Sequence, residues 1–309
     1  MRARLLPTND DQVPFKYRDL PVGRHRLTLP PPLQPATFAT SHQLSGKAES
    51  ETDRGDRTVQ RDQREGRTSA MNGRTTVADR ILQFNEELAE TTLELPPGFR
   101  VVNPFSGPQQ ERVREVTAAF YHKYYDDDRP RRLVLGSSPA RRGTAVTGVP
   151  FEDAKLLESD TGVDVADGYA VSRPSAGFLH DVIARYGGRT RFYADFVMSF
   201  VCPLGLVRTN TQGREVNCNF YENKKLLELL NSFLVDTLEC QLAFGIDASV
   251  CYCIGSGENF KFLTKVNEGQ RFFKKILPLE HPRFITQYNS GRREEFAEKY
   301  LSALRREGD

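Results

Sequence analysis

A run of small and basic residues, Gly136-Ser137-Ser138-Pro139-Ala140-Arg141-Arg142-Gly143, follows directly on the apolar run Leu133-Val134-Leu135. An apolar run that breaks into small residues, proline and glycine reads as a buried strand opening into a tight loop. With so little side-chain bulk, the loop lets a ligand approach the backbone closely. Its hydroxyls can hold a water, and its arginine pair can grip a phosphate. Late in the chain, Ile276-Leu277-Pro278-Leu279-Glu280-His281-Pro282-Arg283 repeats the pattern and delivers a histidine to a comparable position. In open α/β sheets, ligands sit at the carboxyl ends of the strands. The two strand ends therefore point to one site.

Bringing both loops to one edge requires strands that run in the same direction. Apolar runs at 132–136, 196–202, 249–255 and 275–279 supply four core strands. Apolar periodicity predicts helices over 76–94, with Thr75 or Thr76 as cap, and over 108–125, 175–187, 223–244, 258–266 and 292–306. Strands alternating with helices imply a parallel sheet covered on both faces. The expected fold is a three-layer α/β/α domain over 76–309 with a central four-stranded parallel sheet.

Composition divides the 309-residue chain. Residues 1–75 are rich in Pro, Arg, Asp, Gln, Ser and Thr and bury too little apolar surface to offset ordering entropy. They read as a disordered extension or as an upstream segment included by a wrong start choice. They lack the apolar core of a signal peptide, and their scattered acids argue against a mitochondrial presequence. No segment reaches the ~20 apolar residues of a membrane span. The five cysteines, Cys202, Cys218, Cys240, Cys251 and Cys253, are odd in number and sit in apolar surroundings, so they read as buried reduced thiols. Cys251 and Cys253 share a strand face but lack nearby partners for a metal site. The net charge of +2 does not by itself demand a polyanion. Local basic clusters do occur at Arg129, Arg131 and Arg132, at Arg141 and Arg142, at Lys224 and Lys225, and at Lys274, Lys275 and Arg283. A basic rim of this kind suits a phosphate backbone.

The ordered motifs resemble the uracil-DNA glycosylase superfamily. Gly136-Ser137-Ser138-Pro139-Ala140, then Gly143 and Thr147-Gly148-Val149-Pro150-Phe151, is similar to the first motif of its single-strand-selective monofunctional (SMUG-type) branch. Cys202-Pro203-Leu204 resembles the segment after that family's middle strand, and His281-Pro282-Arg283 resembles its second motif. The phrases Phe120 to Tyr125 and Glu280 to Phe284 are similar to a bacterial subfamily of this branch. The resemblance spans about 100–305 and implies a glycosylase of base excision repair, with DNA as partner, no metal and no cofactor. It implies that Phe151 stacks on the extruded base, that His281 donates to the base oxygen where charge develops, and that Arg283 and Phe284 form the wedge entering DNA. Gly136 and Phe151 line the base pocket, and Arg141 and Arg142 contact phosphates.

Several positions depart from the family pattern. Ser138 stands where the family has the water-positioning asparagine, and a hydroxyl offers one donor where an amide offers two donors and a carbonyl. Slower, altered or absent chemistry is the expectation. Phe200 stands at the base-reading asparagine, next to Ser199, while Asn217 and Asn219 offer substitute amides from the following loop or simply form its turn. Glu152 and Asp153 could orient water or serve as helix-start carboxylates. Three readings remain at this point. The first is a monofunctional glycosylase for uracil or a related damaged base, with no motif lysine to form a Schiff base. The second is a DNA-binding member of the fold that has lost cleavage. The third is a nucleotide-binding α/β protein. The chain is expected to act as a monomer, in the cytoplasm of a bacterium or the nucleus of a eukaryote.

Overall fold

The computed structural model describes residues 75–165 and 173–305. The extension expected over 1–75 lies, apart from Thr75, outside the described residues.

The first helix, α1 (Val77–Ala89), starts at Thr76, whose hydroxyl accepts from Asp79 N–H while the Asp79 carboxylate accepts from Thr76 N–H. This reciprocal capping satisfies two donors that the first turn leaves free. Val77, Ile81, Phe84 and Leu88 form its buried stripe. It ends five residues before the expected 94. Then come β1 (Phe99–Val102), α2 (Gln110–Tyr125), β2 (Arg131–Gly136), the short α3 (Thr144–Thr147) and α4 (Ala154–Thr161). They are followed by α5 (Arg173–Tyr186), α6 (Arg189–Asp195), β3 (Phe196–Phe200), β4 (Gly205–Thr209) and β5 (Glu215–Asn217). The long α7 (Lys224–Leu242), β6 (Ile246–Ile254), α8 (Glu258–Gln270), β7 (Ile276–Leu279), α9 (Pro282–Tyr288) and α10 (Arg293–Leu304) complete the described chain.

The four expected core strands form one parallel sheet in the order β3-β2-β6-β7. β2 and β3 are buried at every position, as strands covered on both faces must be. A second, antiparallel sheet, β1-β4-β5, is an addition to the expected architecture. Its strands run only three to five residues, too short to show a two-residue period against the turns around them. The Arg100 guanidinium spans its outer strands to Glu215 through two bonds of 2.8 and 2.9 Å.

Two members of the expected basic rim are interior residues. Arg131 is fully buried, paired with Asp127 at 2.7 Å, bonded to Tyr193 O and stacked on the Tyr125 ring at 4.9 Å. Arg132 lies over the Phe196 ring at 4.4 Å and donates to Tyr252 Oη and Leu304 O. Both sit at the amino end of β2, opposite the edge that carries the loops. An arginine that finds carbonyls, a carboxylate and an aromatic face can be buried where a lysine could not. The five cysteines are all buried and free.

Candidate active site

Every strand of the main sheet points the same way, so Ser138 after β2 and His281 after β7 emerge on one edge. Only β6 lies between their strands, which at ~4.8 Å per strand separates the two by roughly 10 Å.

The loops after β2 and β3 are zipped together. Val201 N–H donates to Gly136 O at 2.8 Å and Cys202 N–H to Ser137 O at 2.9 Å. In this register Gly136 faces Phe200. A Cβ on Gly136 would lie 2.6 Å from Phe151 Cζ and 2.8 Å from Phe200 Cδ1. Its absence lets the two rings close over the strand end, stacked with centroids 4.8 Å apart and planes 24° from parallel. Phe200 is buried, so the position where the resemblance expects a base-reading amide holds a ring packed against Phe151. Behind it lies a cavity of about 30 Å³ shared with Ser199, Thr144 and Pro150, room for a water and not for a base.

Phe151 adopts φ 61° and donates its N–H to Thr144 Oγ1 at 3.2 Å. A left-handed backbone at a bulky residue persists only where its surroundings enforce it. The next residue is itself tightly held. Glu152 is buried, ion-paired with Arg189 at 2.8 Å, bonded to the Tyr193 hydroxyl, and 3.7 Å from His180 Nε2. Burial alone would raise its pKa, but His180 and the Arg189 guanidinium outweigh that and hold the carboxyl below its usual value. Arg189 extends the network to Asp160 at 3.1 Å. Neither carboxylate considered for water chemistry is placed for it: Glu152 anchors the turn, and Asp153 caps α4 by accepting from Lys155 N–H.

The serines meet an asparagine. Ser137 Oγ donates to Asn219 Oδ1 at 2.9 Å, and Ser138 Oγ reaches the same oxygen at 3.4 Å. Asn219 Nδ2 and its backbone N–H both donate to Glu222 Oε1 at 2.9 Å. Asn217, the last residue of β5, accepts from Arg141 N–H at 2.9 Å and so ties its side-chain oxygen to the loop. The second sheet thus serves the site by carrying both asparagines to the β2 loop.

His281 is the N-cap of α9, with Nδ1 accepting from Arg283 N–H at 3.1 Å. Its imidazole keeps an exposed edge. The atoms packed around it, and then the Arg283 guanidinium, hold its pKa below the usual histidine value. A neutral ring whose Nδ1 accepts carries its hydrogen on Nε2, available to a ligand. Beyond it, Arg283 donates to Gln287 Oε1 at 3.0 Å. Phe284 and Tyr288 project into solvent, 46% and 76% exposed. Tyr288 was not among the residues singled out from the sequence, although its four-residue spacing from Phe284 after a proline at the first helical position is a helix signature. Arg141 is half-buried and Arg142 exposed, on the same edge.

The family model described as the uracil DNA glycosylase superfamily matches residues 122–305. A wild-type crystal structure of SMUG2 from Pedobacter heparinus is similar at 40% sequence identity with a TM-score of 0.70, covering 75% of this chain and 97% of that one. No curated protein matches the chain.

Proposed function

The chain belongs to the uracil DNA glycosylase superfamily, and from that premise we propose that it is a monofunctional DNA glycosylase hydrolysing the N-glycosidic bond of uracil or a related damaged base in DNA. The observation that carries this reading is the shared edge. Ser138 and His281 leave parallel strands of one sheet, and a strained aromatic, Phe151, packs over Gly136 at the end of the strand that leads to Ser138. An extruded nucleotide placed there has its base against the Phe151 ring. His281 Nε2–H donates to the base oxygen that gains charge as the bond breaks. A neutral donor suits this task, because it holds the developing anion without giving up a proton.

In the reaction, a water oxygen forms a bond to C1′ and the C1′–N bond breaks with its electron pair leaving on the base. One water hydrogen stays on the new C1′ hydroxyl, the other is lost to solvent, and the base anion takes up a proton. No lysine occupies a motif position, so no Schiff base forms and no strand is nicked.

Phe200 in place of an amide supports recognition of the base by shape and stacking more than by paired hydrogen bonds. The test incubates the full chain with single- and double-stranded oligonucleotides carrying uracil, hydroxymethyluracil, xanthine or hypoxanthine, then cleaves abasic sites with alkali. Base release that depends on His281 supports the proposal. Tight binding with no release from any of the four would favour a DNA-binding member that has lost cleavage.

A further inference from the structure

We propose that Asn219 fixes the hydrogen-bond polarity of Ser138 and thereby orients the attacking water. The inference rests on the glycosylase reading above and names how its nucleophile is held.

A serine hydroxyl has one hydrogen and two lone pairs. Ser138 Oγ lies 3.4 Å from Asn219 Oδ1, an oxygen that can only accept, so the hydroxyl's single hydrogen is what it turns toward Asn219. What remains on Ser138 Oγ is acceptor capacity. A water bound there must donate a hydrogen to it, which leaves the water's lone pairs free to face the anomeric carbon. With the opposite polarity, Ser138 would donate to the water and occupy one of the lone pairs that attack requires.

The polarity holds only if the Asn219 amide cannot flip. Glu222 secures that. A carboxylate only accepts, and Glu222 Oε1 takes both the Nδ2 hydrogen and the backbone N–H of Asn219 at 2.9 Å. The NH2 end is thus held toward Glu222 and the carbonyl end toward the serines. Ser137 donates to the same carbonyl oxygen at 2.9 Å, so both lone pairs of that oxygen are engaged from the β2 loop. The loop that carries Asn219 is anchored on either side: Cys218 N–H donates to Leu206 O at 3.0 Å, and Phe220 is fully buried. Asn219 is therefore a positioning residue that acts through Ser138. In the step it serves, the water oxygen bonds to C1′ as the C1′–N bond breaks. The hydrogen that the water donates to Ser138 Oγ is the one released to solvent.

The test is single-turnover excision of uracil, hydroxymethyluracil, xanthine or hypoxanthine from a single-stranded oligonucleotide by the full chain and by Asn219→Ala, Ser138→Ala, that double variant, Asn219→Asp with Glu222→Gln, and His281→Ala. Asn219→Ala is expected to slow the chemical step about 10- to 100-fold, the effect of one misdirected hydrogen bond in a transition state, with DNA affinity retained. In the Ser138→Ala background the same change is expected to cost nothing further, because its route to the water is already gone. Asn219→Asp combined with Glu222→Gln keeps an acceptor facing the serines while the amide introduced at position 222 supplies the donor that the carboxylate now needs, and is expected to restore the rate to within about fivefold of wild type, which excludes simple loop damage. A wild-type rate in Asn219→Ala, or losses that multiply in the double variant, would overturn the proposal while leaving the glycosylase reading intact. No release by the wild-type protein from any of the four lesions would instead overturn both.

Discussion

Phe151 and Phe200 stack at 4.8 Å across the bare Cα of Gly136, so three residues from two strand ends and one turn form a single surface. Gly136→Ala places a methyl 2.6 Å from Phe151 Cζ, a separation that real Cβ atoms do not show. One ring must move, and Phe151, on the exposed side, is the freer one. Overpacking of this kind costs about 1–3 kcal/mol. Chemical denaturation is expected to register that loss, and base release is expected to fall further than stability alone explains. An alanine variant with wild-type excision would show that the stacked pair is not the base platform.

The His281 geometry sets a pH dependence. Its folded-state pKa is lowered, so the neutral form dominates at neutral pH. Acid protonates Nδ1, removes the acceptor for Arg283 N–H and turns the ring into a cation. The stability it contributes is present above its ordinary value of 6.5 and is lost as pH falls through the lower folded value. The excision rate is expected to be flat above pH 7 and to decline on the acid side. His281→Ala should lower kcat by about 10²–10³, the effect of losing a donor to developing negative charge, and should remove that acid limb. An acid limb that survives in the variant would assign it to another group.

The main sheet was legible because its strands are continuous apolar runs ended by proline and glycine, and those punctuation marks are the site loops themselves. Ser138 and His281 follow from the same signal. The small second sheet was not legible, yet it brings Asn217 and Asn219 to the β2 loop; a hydrogen bond between residues 82 apart leaves no local pattern. Arg131 and Arg132 looked like surface charge because a sequence window shows their charge and not the carbonyls and rings that receive it. Glu152 was visible as a carboxylate beside Phe151, but its partners Arg189 and Tyr193 come from another helix.

The exposed Arg142 and the Arg283–Phe284 end of α9 follow strands β2 and β7 on the edge proposed above to receive DNA. Arg142→Ala is expected to weaken binding evenly across sequences and to make the plot of log affinity against log salt shallower by about 0.7–0.9, the change when one phosphate is no longer neutralised. Arg283→Ala should add a shift of the acid limb of excision toward higher pH, because its guanidinium helps to hold His281 neutral. Fluorescence anisotropy across a salt series measures the first effect. Unchanged slopes in both variants would move the DNA path elsewhere.

The Glu152–Arg189 pair makes the strained turn depend on pH. Its carboxyl is held below the usual value, so the stability it contributes is present above about pH 4.5 and is lost as pH falls through the lower folded value. Wild-type protein should therefore lose stability steeply in that acid range, whereas Glu152→Gln should lack this component of the slope. At neutral pH Glu152→Gln leaves the half-buried Arg189 charge with Asp160 as its remaining carboxylate, so the cost is expected to stay below the ~3–5 kcal/mol of a buried charge left with no partner. Removing both charges, as Glu152→Leu with Arg189→Met, should cost less than Glu152→Gln alone, since the guanidinium no longer has to be held in a half-buried site with one of its two carboxylates gone and Asp160 keeps Lys123. If the pair also holds Phe151 at its positive φ, excision by the double variant should fall even where its stability recovers. Urea denaturation from pH 3 to 7 alongside single-turnover excision separates the two effects, and full activity in the double variant would show that the turn keeps its conformation without the pair.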